Sequence, residues 1–372
     1  MEKDDHFYQY WLCSVPGLGN RRIGQLVAKF KSAENIYYAT QKQLRETTIL
    51  KDKDIECISR SKTNANIYKE YCELKKKNIR MITVEDEEYP KRLLQIYDKP
   101  LCLFVKGVLP EEDKPSVAIV GARNCSEYGR QTAFFIGETL AQAGINVISG
   151  LARGIDGAAH RGALQGGGYT AGVLACGADI CYPKEHISLY QQMEQQGGVI
   201  SEYLPKTPPL SGYFPMRNRI ISGLSDVVVV VEAREKSGSL ITADLALEQN
   251  KSVIAVPGRV CDELSRGCNT LIKMGAEVYR TPQDILDILR YEVFIEEQHK
   301  VKAEKNQDKK MINLLAKSEE MLYSYLDFTP KDINILIEET GQNLSELMEC
   351  LVSLSLKGYA KEVSCGCYVR TQ

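Results

Sequence analysis

The sequence predicts an α/β protein: a parallel sheet covered by helices, with a helical domain before it and a winged-helix-like domain after it. Three observations lead there. From about residue 115, apolar runs alternate with amphipathic helical stretches, the mark of repeated βαβ units. The chain before that point places apolar residues at helical spacing between strong turn signals, and the last 62 residues read as helices followed by two short strands.

Taken in order, residues 1–80 form a small helical domain. Val15-Pro16-Gly17-Leu18-Gly19 lies between two helical patterns and is followed by Arg21 and Arg22. Such a turn resembles a helix-hairpin-helix, which offers backbone N–H groups to a phosphate; a tight αα turn with no ligand explains it equally well. Residues 81–292 form the sheet domain, with strands expected at 117–120, 146–149, 170–175, 199–201, 226–231 and 252–256, and a last one at 277–279. The run Val227-Val228-Val229-Val230-Val231 is apolar without alternation, as a strand buried on both faces must be.

The polar stretch 293–310 reads as a linker, since it lacks the apolar residues that would hold it in a core. Residues 311–372 then give a helix to about 325, a helix from near Pro330, a turn at Gly341, a helix over 343–357 and strands near 359–363 and 367–370. That order suits a winged helix. Its would-be recognition helix carries Glu346 and Glu349, with only Lys357 at its end, so it is suited to protein contact rather than to a DNA groove.

Composition sets bounds and no more. With 44% hydrophobic and 26% charged residues, the chain is of the soluble globular class. Its 47 basic and 49 acidic residues nearly cancel, so any nucleic-acid site must be a local cluster. Residues 1–10 include Glu2, Asp4 and Asp5 where a secretory leader would be basic and then apolar, and no apolar run is long enough for a span. The expected location is the cytoplasm. Twelve scattered cysteines are expected as reduced thiols. Cys365 and Cys367 lack the spacing and the second pair of a zinc site, and neither metal nor cofactor is expected.

Ligands of open parallel sheets bind beyond the carboxyl ends of the strands, where loops and helix N-termini offer backbone donors. The first such loop is Gly121-Ala122-Arg123-Asn124-Cys125-Ser126 and the second Gly150-Leu151-Ala152-Arg153-Gly154-Ile155-Asp156. Each sets an arginine among small residues, so Gly121, Gly150 and Gly154 are candidate backbone phosphate sites and Arg123 and Arg153 candidate clamps. The third ends in Tyr182-Pro183-Lys184 and the fourth in Phe214-Pro215-Met216-Arg217-Asn218-Arg219. Cations for phosphates beside an aromatic face for a base suit single-stranded nucleic acid. A lone arginine here would more simply be a surface ion pair, and a lone phenylalanine a core anchor; four basic strand-end loops tip the balance.

In order and spacing, these motifs resemble the Rossmann-like domain of the DprA/Smf (DNA-processing protein A) family. The matches continue through Ser149-Gly150-Leu151-Ala152-Arg153-Gly154-Ile155-Asp156, Ser201-Glu202, Ser237-Gly238-Ser239-Leu240-Ile241-Thr242-Ala243, Ala255-Val256-Pro257-Gly258 and Gly267-Cys268-Asn269. The resemblance implies a non-enzymatic protein that binds single-stranded DNA entering during natural transformation, protects it and loads the recombinase RecA. It also implies a homodimer. Its DNA contacts would be Arg123, Lys184, Phe214, Arg217 and Arg219, to which the reading of the strand-end loops adds Arg153 and Asn218, with the dimer interface near 267–274 and RecA met at 234–239. Asn250-Lys251 stands where relatives usually carry Gly-Arg.

The rival is a Rossmann-like phosphoribohydrolase. Its Pro-Gly-Gly-x-Gly-Thr loop is replaced here by Ser237-Gly238-Ser239-Leu240-Ile241-Thr242. Asp156 with His160, Glu202 and Glu232 are the available acid–base groups, and an Asp and His four apart on a helix are more simply a structural pair. A pure interaction scaffold is a third class; the basic residues in the sheet-end loops stand against it.

Overall fold

The computed structural model describes residues 4–289 and 317–371. The linker expected at 293–310 and the start of the helix expected from Met311 lie outside the described residues. The chain divides into two compact units.

In the larger unit the strands are β1 (Arg80–Thr83), β2 (Cys102–Gly107), β3 (Ser116–Val120), β4 (Asn146–Ser149), β5 (Thr170–Leu174), β6 (Gly198–Ser201), β7 (Val227–Val230), β8 (Ser252–Ala255) and β9 (Glu277–Val278). They form one sheet in the order β1-β2-β6-β5-β4-β3-β7-β8-β9. From β6 to β9 along that order every pairing is parallel. The α/β class and the mostly parallel sheet are as expected, and each anticipated strand forms close to its expected place.

Two strands are additional. β2 runs antiparallel to β6, with Phe104 opposite Ser201, and β1 runs antiparallel to β2. Their apolar runs are short, and β2 lies between Pro100 and Pro110, residues that punctuate loops. What makes β2 a strand is cover on both faces. Leu103 and Val105 turn into the sheet core, while Cys102 and Phe104 turn into the core of the N-terminal helices. That second core is built around Trp11, Leu26, Ile36 and Ile58, all buried, and the Trp11 indole donates to Ser61 Oγ at 2.9 Å. The helical segment and the sheet are therefore one compact unit.

Within the sheet, Ala118 and Val120, Ala171 and Val173, Val228 and Val230 share a face with Ile220, Ile221 and Leu224 of the helix Tyr213–Gly223 and Ala243 and Ala246 of the helix Gly238–Glu248. Burying each of the valine, leucine and isoleucine side chains among them stabilises by about 1.5–3 kcal/mol. The turn at Gly17–Gly19 is tied internally: Arg22 bonds the Gly17 carbonyl and Asp54.

The smaller unit holds the helices Lys317–Tyr325, Ile333–Thr340 and Leu344–Leu356 and a three-stranded sheet of Lys331–Asp332, Cys367–Arg370 and Ala360–Ser364. Gly341 ends the second of these helices in the left-handed region, at φ +68°, where glycine carries no Cβ penalty. Among the described residues no helix is long and apolar enough to cross a membrane.

Candidate nucleic-acid-binding cleft

The chain moves from β3 through β4 and β5 to β6 in one direction across the sheet, then returns so that β7 pairs with the other side of β3. Loops leaving β3 and β7 thus diverge, and a crevice opens at their carboxyl ends. A cleft of about 650 Å³ occupies that position.

The wall after β3 is shaped by close chain approach. Ala122 N–H donates to the Glu232 carbonyl at 2.8 Å, and Ile155 N–H to the Ala122 carbonyl at 3.2 Å. Gly154 has φ +72°, and a Cβ there would collide with the Ala122 and Arg123 carbonyl oxygens. A Cβ on Gly121 would come within 2.6 Å of Ile155. These two glycines let the first loop nest on the second.

Gly150 differs from its expected role as a phosphate donor. Its N–H donates to Asp156 Oδ2 at 3.2 Å, beside that of Ala152 at 3.3 Å, and its carbonyl accepts from Arg217 Nη1 at 2.8 Å. Both of its backbone groups are spent inside the protein.

The four arginines expected to contact DNA part company. Arg123 is exposed, with its guanidinium carbon 4.8 Å from the centre of the Phe214 ring. Tyr182 approaches the same ring at 5.8 Å and 53° and is 41% exposed. Arg217 lines the cleft but is only 4% exposed. It donates to the carbonyls of Gly150 and Val173 and to Asn218 Oδ1; burial pulls its guanidinium down to about 10, and Asp156 opposes that shift. Asn218, also in the cleft wall, donates to the Gly238 carbonyl at 3.1 Å. Arg219 is bound to Glu202 at 2.6 Å and Asp98 at 3.2 Å. In the folded protein it is buried, held in ion pairs, and does not line the cleft where its contact with DNA was expected. Arg153 forms a two-pronged surface pair with Glu185 at 2.5 and 2.7 Å. Lys184 is exposed beside Pro183 and lines neither the cleft nor the small pocket that adjoins it behind Phe214.

The cleft also contains residues that sequence reading placed elsewhere. Arg234 and Lys236, read as a protein-contact loop, stand on its rim, and Tyr182 joins the Phe214 side. Ser237, Ser239 and Thr242 line the end formed by the helix Gly238–Glu248. Their signal was the strand-end position of the loop after β7, the same signal used for the other loops.

The acid–base candidates sit in structural arrangements. Asp156 caps the second loop; burial pushes its carboxyl up, opposed by Arg217. The His160 ring is fully buried, with Nδ1 2.7 Å from Thr170 Oγ1. Because Thr170 gives its own hydrogen to the Val147 carbonyl, Nδ1 must carry the donated proton. Burial lowers His160 from 6.5 to about 3. The unfolded chain then binds a proton that the folded chain refuses between those values, so folding stability falls as pH drops from 6.5 towards 3. Urea midpoints measured across that window should decline steeply with acidification, and less steeply in a His160→Asn variant.

Residues 80–290 match the family described as DNA recombination-mediator protein A. Protein Smf of Escherichia coli is 40% identical over 301 residues, which is 80% of this chain and 79% of that protein. DNA processing protein DprA of Streptococcus pneumoniae is 44% identical over 204 residues, 55% of this chain and 72% of that protein. The X-ray structure of the Streptococcus pneumoniae protein superposes with a TM-score of 0.67 at 33% identity, covering 77% of this chain and 98% of that one. A structure of DNA processing protein A from Helicobacter pylori, described for its single-stranded DNA binding mode, superposes at 0.52 and 32% identity over 57% of this chain and 97% of that one. With its parallel sheet, its switch-point cleft and a family match that spans the whole sheet domain, this chain belongs to the DprA/Smf family of DNA recombination mediators.

Proposed function

We propose that this protein binds single-stranded DNA in the switch-point cleft and acts as a non-enzymatic mediator that loads RecA onto the strand. The observation that carries the reading is the Phe214 ring, held between Arg123 and Tyr182: an aromatic face for a base beside a cation for its phosphate. Base stacking of this kind tolerates any sequence and excludes a duplex, whose bases are already stacked. The relatives named for DNA processing and the Helicobacter pylori protein described for single-stranded DNA binding support it.

Arg123, Lys184, Arg234 and Lys236 are exposed cations on and around the cleft, in addition to Arg153, which is paired with Glu185. Neutralising about four phosphates gives a log–log salt slope near −3 per protomer, at roughly −0.7 per phosphate on a single strand. Binding of a labelled single-stranded oligonucleotide over a salt series, with duplex competitor, is the test. A slope near that value with single-strand preference is expected, and loss of both in an Arg123→Ala, Lys184→Ala, Lys236→Ala triple variant. Equal affinity for duplex, or a triple variant that binds like the parent, would overturn the reading.

A homodimer and action in the cytoplasm complete the proposal. Met274, exposed directly after the helix Arg266–Lys273, gives a second copy an apolar side chain to pack on.

A further inference from the structure

The β7 end of the cleft is the N-terminus of the 11-residue helix Gly238–Glu248. Ser237 caps this helix, accepting the Ser239 N–H at 3.3 Å, and the two serine hydroxyls lie 2.7 Å apart. One hydrogen serves that hydroxyl pair, so one of the two hydroxyl hydrogens is left to donate elsewhere. A turn further on, Thr242 is 1% exposed and lines the cleft, and its hydroxyl has no hydrogen-bond partner among the described residues. The oxygen opens onto the cleft rather than being sealed in the core, so a bound acceptor can take its hydrogen. Asn218 holds the helix end in place through the Gly238 carbonyl, and Lys236 stands exposed on the rim. The nearest carboxylate in the cleft wall, Asp156, already accepts two backbone N–H groups.

We propose that Lys236, Ser237, Ser239 and Thr242 form a phosphate subsite, which seats one phosphate of a nucleotide on this helix N-terminus. The helix dipole favours the anion, the unspent serine hydrogen and the Thr242 hydroxyl donate to its oxygens, and Lys236 adds charge. The subsite deepens the single-strand reading and rests on it: Phe214 takes a base and this end takes a phosphate. The phosphate is either an internal diester of the strand or a terminal monoester.

The test measures binding of an oligothymidylate to the full chain and to Thr242→Val, Thr242→Ser and Lys236→Ala, with thermal unfolding of each. Competitors are the same strand with and without a 5′-phosphate, thymidine monophosphate and thymidine. Loss of a hydrogen bond to a charged group predicts about tenfold weaker binding by Thr242→Val, recovery in Thr242→Ser, and weaker binding with a shallower salt slope in Lys236→Ala. Better competition by the 5′-phosphorylated strand assigns a terminal phosphate, and equal competition an internal one. If Thr242→Val and Lys236→Ala bind like the parent while Phe214→Ala loses binding, the subsite is wrong and the single-strand reading stands. If the parent ignores the strand but binds thymidine monophosphate over thymidine, with loss in Thr242→Val, the subsite stands and the single-strand reading fails. Binding of neither overturns both.

Discussion

Replacing Arg219 by alanine is expected to destabilise the folded protein by about 3–5 kcal/mol and to leave any surviving folded protein with its cleft intact. The guanidinium and the Glu202 carboxylate are each 7% exposed and lie 2.6 Å apart. Glu202 also accepts from Asn20 at 3.0 Å, and Arg219 also holds the Met216 carbonyl and Asp98. Burial already pushes the Glu202 carboxyl above its usual range, with Arg219 opposing the shift. Truncating the arginine leaves that carboxylate buried and unmatched, which costs far more than the pair itself contributes. Urea unfolding checks this: a lower midpoint with an unchanged slope means lost stability. A Glu202→Leu, Arg219→Leu double variant removes both charges and is expected to recover much of the loss. Full stability in Arg219→Ala together with weakened DNA binding would show that the arginine reaches the strand after all.

Phe214→Ala is expected to do the opposite, leaving stability nearly unchanged and weakening binding to single-stranded DNA by about 1 to 3 kcal/mol. That is about five- to 150-fold in affinity. The ring is half-buried and makes its contacts with Arg123 and Tyr182, so removing it empties no core. Salt dependence distinguishes the cause: a lost stacking face lowers affinity at every salt concentration and keeps the slope, whereas a lost phosphate contact makes the slope shallower by roughly 0.7. Phe214→Trp should retain binding. A Phe214→Ala protein with parental affinity would remove the observation on which the functional reading depends.

The strands of the sheet were legible because a strand buried on both faces needs a local run of apolar residues, as in Val227–Val230. β1 and β2 were not, because their cover comes from the N-terminal helices, whose core takes in Cys102 and Phe104. In the cleft, residue type and strand-end position were enough to select Arg123 and Phe214, which meet across 4.8 Å. They were not enough to separate Arg123, in the loop after β3, from Arg217 and Arg219, which lie inside the helix Tyr213–Gly223 with their side chains buried.

By itself the sequence determined the α/β class, the strand positions, the family and the neighbourhood of the site, all of which depend on runs of a few adjacent residues. Only the tertiary structure decided what each cation does. Arg153 meets Glu185 32 positions away and Arg219 meets Asp98 121 positions away; Arg217 is enclosed by carbonyls 67 and 44 positions distant. A charge spends itself on whichever partner the fold brings within about 3–4 Å, and that distance is set by the sheet order, not by neighbours along the chain.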